Sequence, residues 1–428
     1  MLLSPEFSLD TYNVSLRTGF LPDAPPLRAM DDPYYWPWEE LVRDLPSRIQ
    51  GKTIRSAVEQ LPVLSTSNLQ GEPQWRRAYL LLAYLTHAYV WGGDKPKDVL
   101  PPAIARPFLE VSSHLELPPC ATYAALNLWN YAIPDPNTDL TDPESLSVTA
   151  SLTGTKDEEW FLMLSVAIEA KGAQVIPLMF EAIHAVSVDD NLRVSNLLHR
   201  FSECLQELRQ LLERMYEKCR PPVFFHQIRP LLAGSKNMAK AGLPHGLFYD
   251  VGGGHGQWHQ YSGGSNAQSS LIQTFDIFLG VEHSATGELK PSESGAKNGF
   301  MQEMRNYMPG PHRRFLEMLA RISYIRPYAM SHNVESEVRG AYNTAVMSLG
   351  RFRDTHIQIV TRYIIMAAKI APPKDVPVQV NLASATTDQV KDSKEVVTRG
   401  LQGTGGTDLI PFLKQTRDAT KAAASYAE

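Results

Sequence analysis

SEVRGAYNTAVMSLGRFRDTHIQIVTRYIIMAAKIA, residues 336–371, is the stretch that decides the fold. Its apolar residues recur at three- and four-residue spacing, the period of an amphipathic helix. On such a helix His356 shares a face with Leu349, Phe352, Ile359, Val360 and Tyr363, so its imidazole points inward. Two readings stay open: a satisfied core histidine or a metal ligand. Arg353, one turn earlier on that face, has no partner in an apolar core, and burying it alone is costly.

A haem would satisfy both groups, its iron taking the imidazole and its propionates the guanidinium. Working outward, the same period appears over residues 121–132, 158–172, 173–186, 189–219, 269–280 and 313–325, and again after Asp408, while strand-type alternation is almost absent. An all-α fold is expected. Prolines punctuate the first hundred residues, so only short helices fit, such as 36–44 and 54–60, with a longer apolar one at 75–91. This predicts a small, mainly helical N-terminal cap domain over residues 1–110 and a large helical domain over 111–428. Between the long helix and the last one, residues 372–407 read as a structureless loop or lid.

Composition excludes several classes. The 428 residues are 43% hydrophobic and 20% charged, the balance of a globular protein. Lys plus Arg is 41 against 46 for Asp plus Glu, a net charge of −5 without the basic excess of a nucleic-acid binder. Three cysteines without a C-x-x-C point to a reducing compartment. No basic n-region with an apolar h-region opens the chain, and no eighteen apolar residues run uncharged. The expectation is a soluble cytoplasmic protein, monomeric, without a nucleic-acid or membrane partner.

Other motifs carry weaker signals. Phe224-Phe225 with Arg229 reads either as an amphipathic turn or as an aromatic box with a cation for a carboxylate, which suits an aromatic amino acid. The glycine-rich segments 250–255, 262–266 and 403–407 lack Gly-Lys-Ser/Thr and follow no strand, so P-loop and Rossmann readings fail. The amides of Gly403–Thr407 could attract an anion ahead of the last helix, or the segment is a plain linker. His255 and His259 lack the glutamate of a zinc protease and sit beside glycines. Cys120 has no sign of thiolate activation.

Taken in order, SHLELPP (113–119), GGSNAQSS (263–270), MRNYMP (304–309), HIQIVTRYI (356–364) and GTGGTDL (403–409) resemble the signature blocks of the indoleamine 2,3-dioxygenase family, in a fungal style. The resemblance implies a helical haem b protein that uses O2 to open the indole ring of L-tryptophan between C2 and C3. It implies His356 as proximal iron ligand, with Arg353, Gly264, Ser265 and Ile364 around the haem. Tyr123, Phe161 and Ser165 would line the distal side; Phe224, Phe225 and Arg229 would hold indole and carboxylate; Thr404 would meet the amino-acid end, and Ser265 and Asn266 would also bind substrate. Ser165, Arg229 and Thr404 would serve catalysis. Related indoleamines, O2 and an electron donor keeping iron as Fe(II) are the implied partners. Leu126 and Asn127 stand where vertebrate members carry cysteine and a small apolar residue, and Asn266 replaces alanine, which changes pocket size and polarity. Asp276, inside the apolar run 271–279, is read as structural. An O2 carrier or sensor on the same fold, and a cofactor-free helical interaction protein, are the competing readings.

Overall fold

The structure is a computed structural model that describes residues 8–283, 299–331, 336–374, 379–391 and 401–424. Helices build it, as expected. The decisive stretch forms an α-helix over Ser336–Val360 that continues as a π-helical turn, Thr361–Met366, and a 3-10 turn, Ala367–Lys369. It packs along Asn191–Glu213 on one side and Leu409–Ala422 on another. Lys156–Gly172 and Val175–Ser187 complete this group; their most apolar window is 67% buried against the rest of the chain, as in a core helix.

Local chemistry sets the ends. Thr155 accepts from the Glu158 amide to start Lys156–Gly172, and Ser269 accepts from Ile272 to start Ser270–Leu279, which Gly280 ends at φ 64°. Leu271, Phe275, Phe315, Leu349 and Phe352 belong to one apolar core. A second core joins residues between Leu21 and Leu152 to Val223–Tyr249 and Leu382. At its centre runs Gly71–Trp91, buried throughout from Arg77 to Trp91. That helix fixes two loops that reach the functional cavity. His87 donates through Nδ1 to the Leu231 carbonyl at 2.8 Å and accepts the Ala121 amide at Nε2, 3.1 Å. Trp91 Nε1 donates to the Ala233 carbonyl at 2.8 Å.

Three expectations change. Residues 121–132 form no α-helix but a π-helical segment, Ala124–Leu128, and a strand, Tyr131–Ala132, paired antiparallel with Ser147–Val148. The glycines at 252–254 turn a hairpin of Leu247–Gly252 with His255–His259, which Val99–Leu100 extends in parallel; Gly253 and Gly254 hold φ of 65° and 76° there. The stretch 372–407 is not structureless where described. It holds a helix, Leu382–Lys391, because Asn381 Oδ1 accepts the amides of Ala383 and Ser384 at 2.9 and 3.1 Å and Leu382 and Ala383 find apolar cover. Residues 375–378 and 392–400 of the expected lid lie outside the described residues.

Candidate active site

Three π-helical segments, Ala124–Leu128, Phe224–Ile228 and Thr361–Met366, border one cavity of about 230 Å³. A π turn adds one residue to the helical ladder and re-aims the side chains it carries, which is why such turns collect at functional sites. Here they turn Leu126, Asn127, Phe224, Tyr363 and Ile364 to the cavity. Phe225 is turned away: it packs with Val360, Ile364 and Ala367, its ring 5.4 Å from the Arg229 guanidinium carbon. Its expected place against the substrate ring is therefore corrected to one behind Arg229.

The other sequence-predicted residues come together. Tyr123, Phe161, Ser165, Phe224, Arg229, Gly264, Ser265, Asn266, Arg353, His356, Ile364 and Thr404 all line this cavity. Residues more than 200 positions apart thus meet. The described lining residues include no Asp, Glu, Cys or Lys. This wall can bind and orient; it offers no activated nucleophile.

His356 has no hydrogen-bond partner among the described residues. Burial first, and then the Arg353 charge, push its pKa down to about 4. A neutral imidazole with an uncommitted ring nitrogen, facing a cavity, is the form that a metal ion takes. The residues present thus fit a haem on the iron side.

Arg353 departs from expectation. It is not partnerless: Nη2 donates to both carboxylate oxygens of Asp276 at 2.8 and 2.7 Å, and Nη1 donates to Thr420. Burial raises the Asp276 pKa, but the Arg353 charge and His283, 2.9 Å away, outweigh it and hold the carboxyl at about 2. The two partners lie 77 residues apart, and the apolar setting of each in sequence concealed the other. Both Nη groups are therefore satisfied within the chain, without a propionate.

Arg229 is the opposite case. It is fully buried, yet its partners are neutral: Thr386 Oγ1 at 3.2 Å, the Leu382 carbonyl at 3.5 Å and the Gln402 carbonyl at 2.5 Å. Its Nε has no partner among the described residues. Burial without a counter-charge pushes its pKa down to about 9. A guanidinium held this way is a waiting site for an anion.

The far wall is glycine backbone. A Cβ on Gly263 would fall 2.3 Å from the Leu232 carbonyl and 2.8 Å from that of Thr404, and one on Gly264 would meet Leu126 at 2.3 Å. At Gly263 the atoms met are backbone, so only glycine lets these segments touch there. The Gly234 and Gly263 amides donate to the Thr404 carbonyl at 3.2 and 3.1 Å, and Thr404 Oγ1 donates to Gly264 O at 2.8 Å. Within Gly403–Thr407, the Gly403 and Gly406 amides bond inside the loop; the expected anion cradle is reduced by those two donors. Ser265 caps the turn Asn266–Gln268 by accepting the Ala267 amide, and Asn266 stands exposed beside it.

On the remaining side Ser165 Oγ donates to the Phe161 carbonyl at 3.3 Å. Behind Tyr123 and Ser269, both lining residues, sequence reasoning missed Glu169. It is 1% exposed, accepts from Ser269 Oγ at 2.6 Å, and burial raises its pKa to about 7, against the hydrogen bonds of Ser269 and Tyr123. Its place one helical turn after Ser165 was the available signal.

A profile of the indoleamine 2,3-dioxygenase family matches residues 8–423. A relative from Aspergillus nanangensis named indoleamine 2,3-dioxygenase is 44% identical over 427 residues, 98% of this chain and 98% of its own. One of that name from Penicillium citrinum is 43% identical over 423 residues, 98% of this chain and 89% of its own. A third, from Fusarium equiseti, is named 6-hydroxytryptophan 2,3-dioxygenase and is 34% identical over 411 residues, 96% of each. A helical cage of this kind, with these relatives, is that of a dioxygenase, an oxidoreductase. The chain belongs to the indoleamine 2,3-dioxygenase family.

Proposed function

We propose that this chain binds haem b and inserts both atoms of O2 across the indole C2–C3 bond of L-tryptophan, giving N-formylkynurenine, the first step of the kynurenine pathway. The observation that carries the reading is Arg229, a buried cation with no counter-charge among the described residues, on the same cavity as the neutral His356, which has no hydrogen-bond partner among them. An aromatic amino acid would bring a carboxylate to that cation and a flat ring to the aromatic wall of Tyr123, Phe161 and Phe224.

Ferrous haem, when bound, supplies O2 binding and activation. His356 would hold its iron, with Gly264, Ser265 and Ile364 against the macrocycle. Arg229 holds the substrate carboxylate in a charge-assisted hydrogen bond. Phe161, Phe224 and Tyr123 confine the indole, and Ser165 offers a hydroxyl beside it. Thr404, tied to Gly264, closes the amino-acid end with Ser265 and excludes water. The described lining residues include no carboxylate base, which suits a reaction in which the protein's part is to orient and desolvate. The chain would act as a monomer that draws on a separate electron donor. Three free, buried cysteines suit the cytoplasm.

Purified protein supplied with haem should show a strong Soret band that His356→Ala weakens or removes. Ferrous protein with O2 and L-tryptophan should yield formylkynurenine. An oxygenated complex that persists while tryptophan goes unreacted would overturn the enzyme reading for this substrate and leave an O2 carrier.

A further inference from the structure

Asn127 lies on the π-helical segment Ala124–Leu128, lines the cavity and is 4% exposed. Its Nδ2 donates to the Tyr123 carbonyl at 3.2 Å. That bond fixes which end of the carboxamide is which, since a flipped amide would set oxygen against oxygen. The oxygen, Oδ1, is buried and has no hydrogen-bond partner among the described residues. Buried acceptors are rarely left so, and one on a ligand cavity is a place for a ligand donor.

Besides His356, Arg229 and Asn127 present unmet polar atoms at this cavity among the described residues, and they ask for opposite things. Arg229 calls for an anion, whereas a carboxamide oxygen repels an anion and takes only an N–H or O–H. A substrate held by its carboxylate at Arg229 therefore meets Asn127 with some other group. The other cavity side chains carried on this segment and its flank are Leu126, which is apolar, and Tyr123, which is aromatic, so the acceptor stands among groups that suit a ring.

We propose that Asn127 Oδ1 accepts a hydrogen bond from a donor on the substrate's ring system, the indole N–H or a ring hydroxyl, and so sets which ring-substituted tryptophans this chain prefers. The inference rests on the tryptophan reading above.

The test compares wild-type and Asn127→Leu protein, both loaded with haem. Dissociation constants and kcat/KM are measured for L-tryptophan, 1-methyl-L-tryptophan, 5-hydroxy-L-tryptophan and 6-hydroxy-L-tryptophan. If the donor is the indole N–H, the substitution weakens L-tryptophan by about 5- to 100-fold, the worth of a buried group left unpaired, and spares the 1-methyl analogue. If it is a hydroxyl, wild type favours one hydroxytryptophan by a similar factor and the variant erases that preference. Equal change across all four ligands, or a hydroxyl preference that persists in the variant, overturns the proposal and leaves the substrate reading standing. Failure of wild type to bind any of the four overturns both. Asn127→Ala replaces the leucine variant if that one loses its haem absorbance.

Discussion

Two buried arginines border the same cavity and are treated in opposite ways. Arg353 has its charge matched by Asp276 and its second nitrogen by Thr420. Arg229, no less buried, has among the described residues two carbonyls and a hydroxyl. A matched buried pair holds elements together: this one ties the long helix to Ser270–Leu279 and to Leu409–Ala422. An unmatched cation is retained at a cost in stability, and that cost is the mark of a group kept for something else.

Breaking the matched pair should have the largest effect. Asp276→Ala leaves Arg353 buried and alone, and should lower stability by about 3–5 kcal/mol, read as the denaturant midpoint, with haem retention falling alongside. The pair also sets an acid limit. Because the folded carboxyl is held down at about 2, its contribution is present above the unfolded value of 3.8 and is lost as pH falls towards 2.

Glu169 extends the comparison to a buried acid without a cation. Its pKa is raised to about 7 from 4.5, so the folded state binds the extra proton, and stability should fall as pH rises from about 4.5 to 7. Glu169→Gln should flatten that slope and become the more stable form at pH 8, by up to about 3 kcal/mol. A variant with the wild-type pH profile of melting temperature would show the carboxyl already ionised.

Arg229→Gln should reverse the Asp276 pattern. Stability should hold or rise, while kcat/KM for L-tryptophan drops by about 2–3 kcal/mol, roughly 30- to 150-fold, with haem content kept. Equal losses of haem and of substrate use would erase the distinction between the two arginines. The smallest effect is expected at Thr404→Ala, which removes the bond to Gly264 O and should raise KM a few-fold, by about 1 kcal/mol, with the Soret band unchanged.

Legibility in the sequence followed the range of the interaction. The inward face of His356 could be read because helical periodicity is local, and Ser336–Val360 bears it out. The split between Phe224 and Phe225 could not, since a π turn at Phe224–Ile228 shifts the register by a residue that no 3.6 period anticipates. The hairpin Leu247–His259 was hidden by its glycines, which read equally as loop. Leu382–Lys391 was hidden by a polar composition whose Asn381 cap and Arg229 partner give it a place.

What the sequence determined by itself was the helical class, the inward histidine and, through its signature blocks, the family. Only the tertiary structure decided which cations are matched, that Asn127 keeps an unpaired oxygen and that Glu169 lies behind Tyr123. The reason is physical: helix propensity and amphipathic spacing act within a few residues, whereas charge pairing and burial depend on segments up to 77 or 173 positions apart.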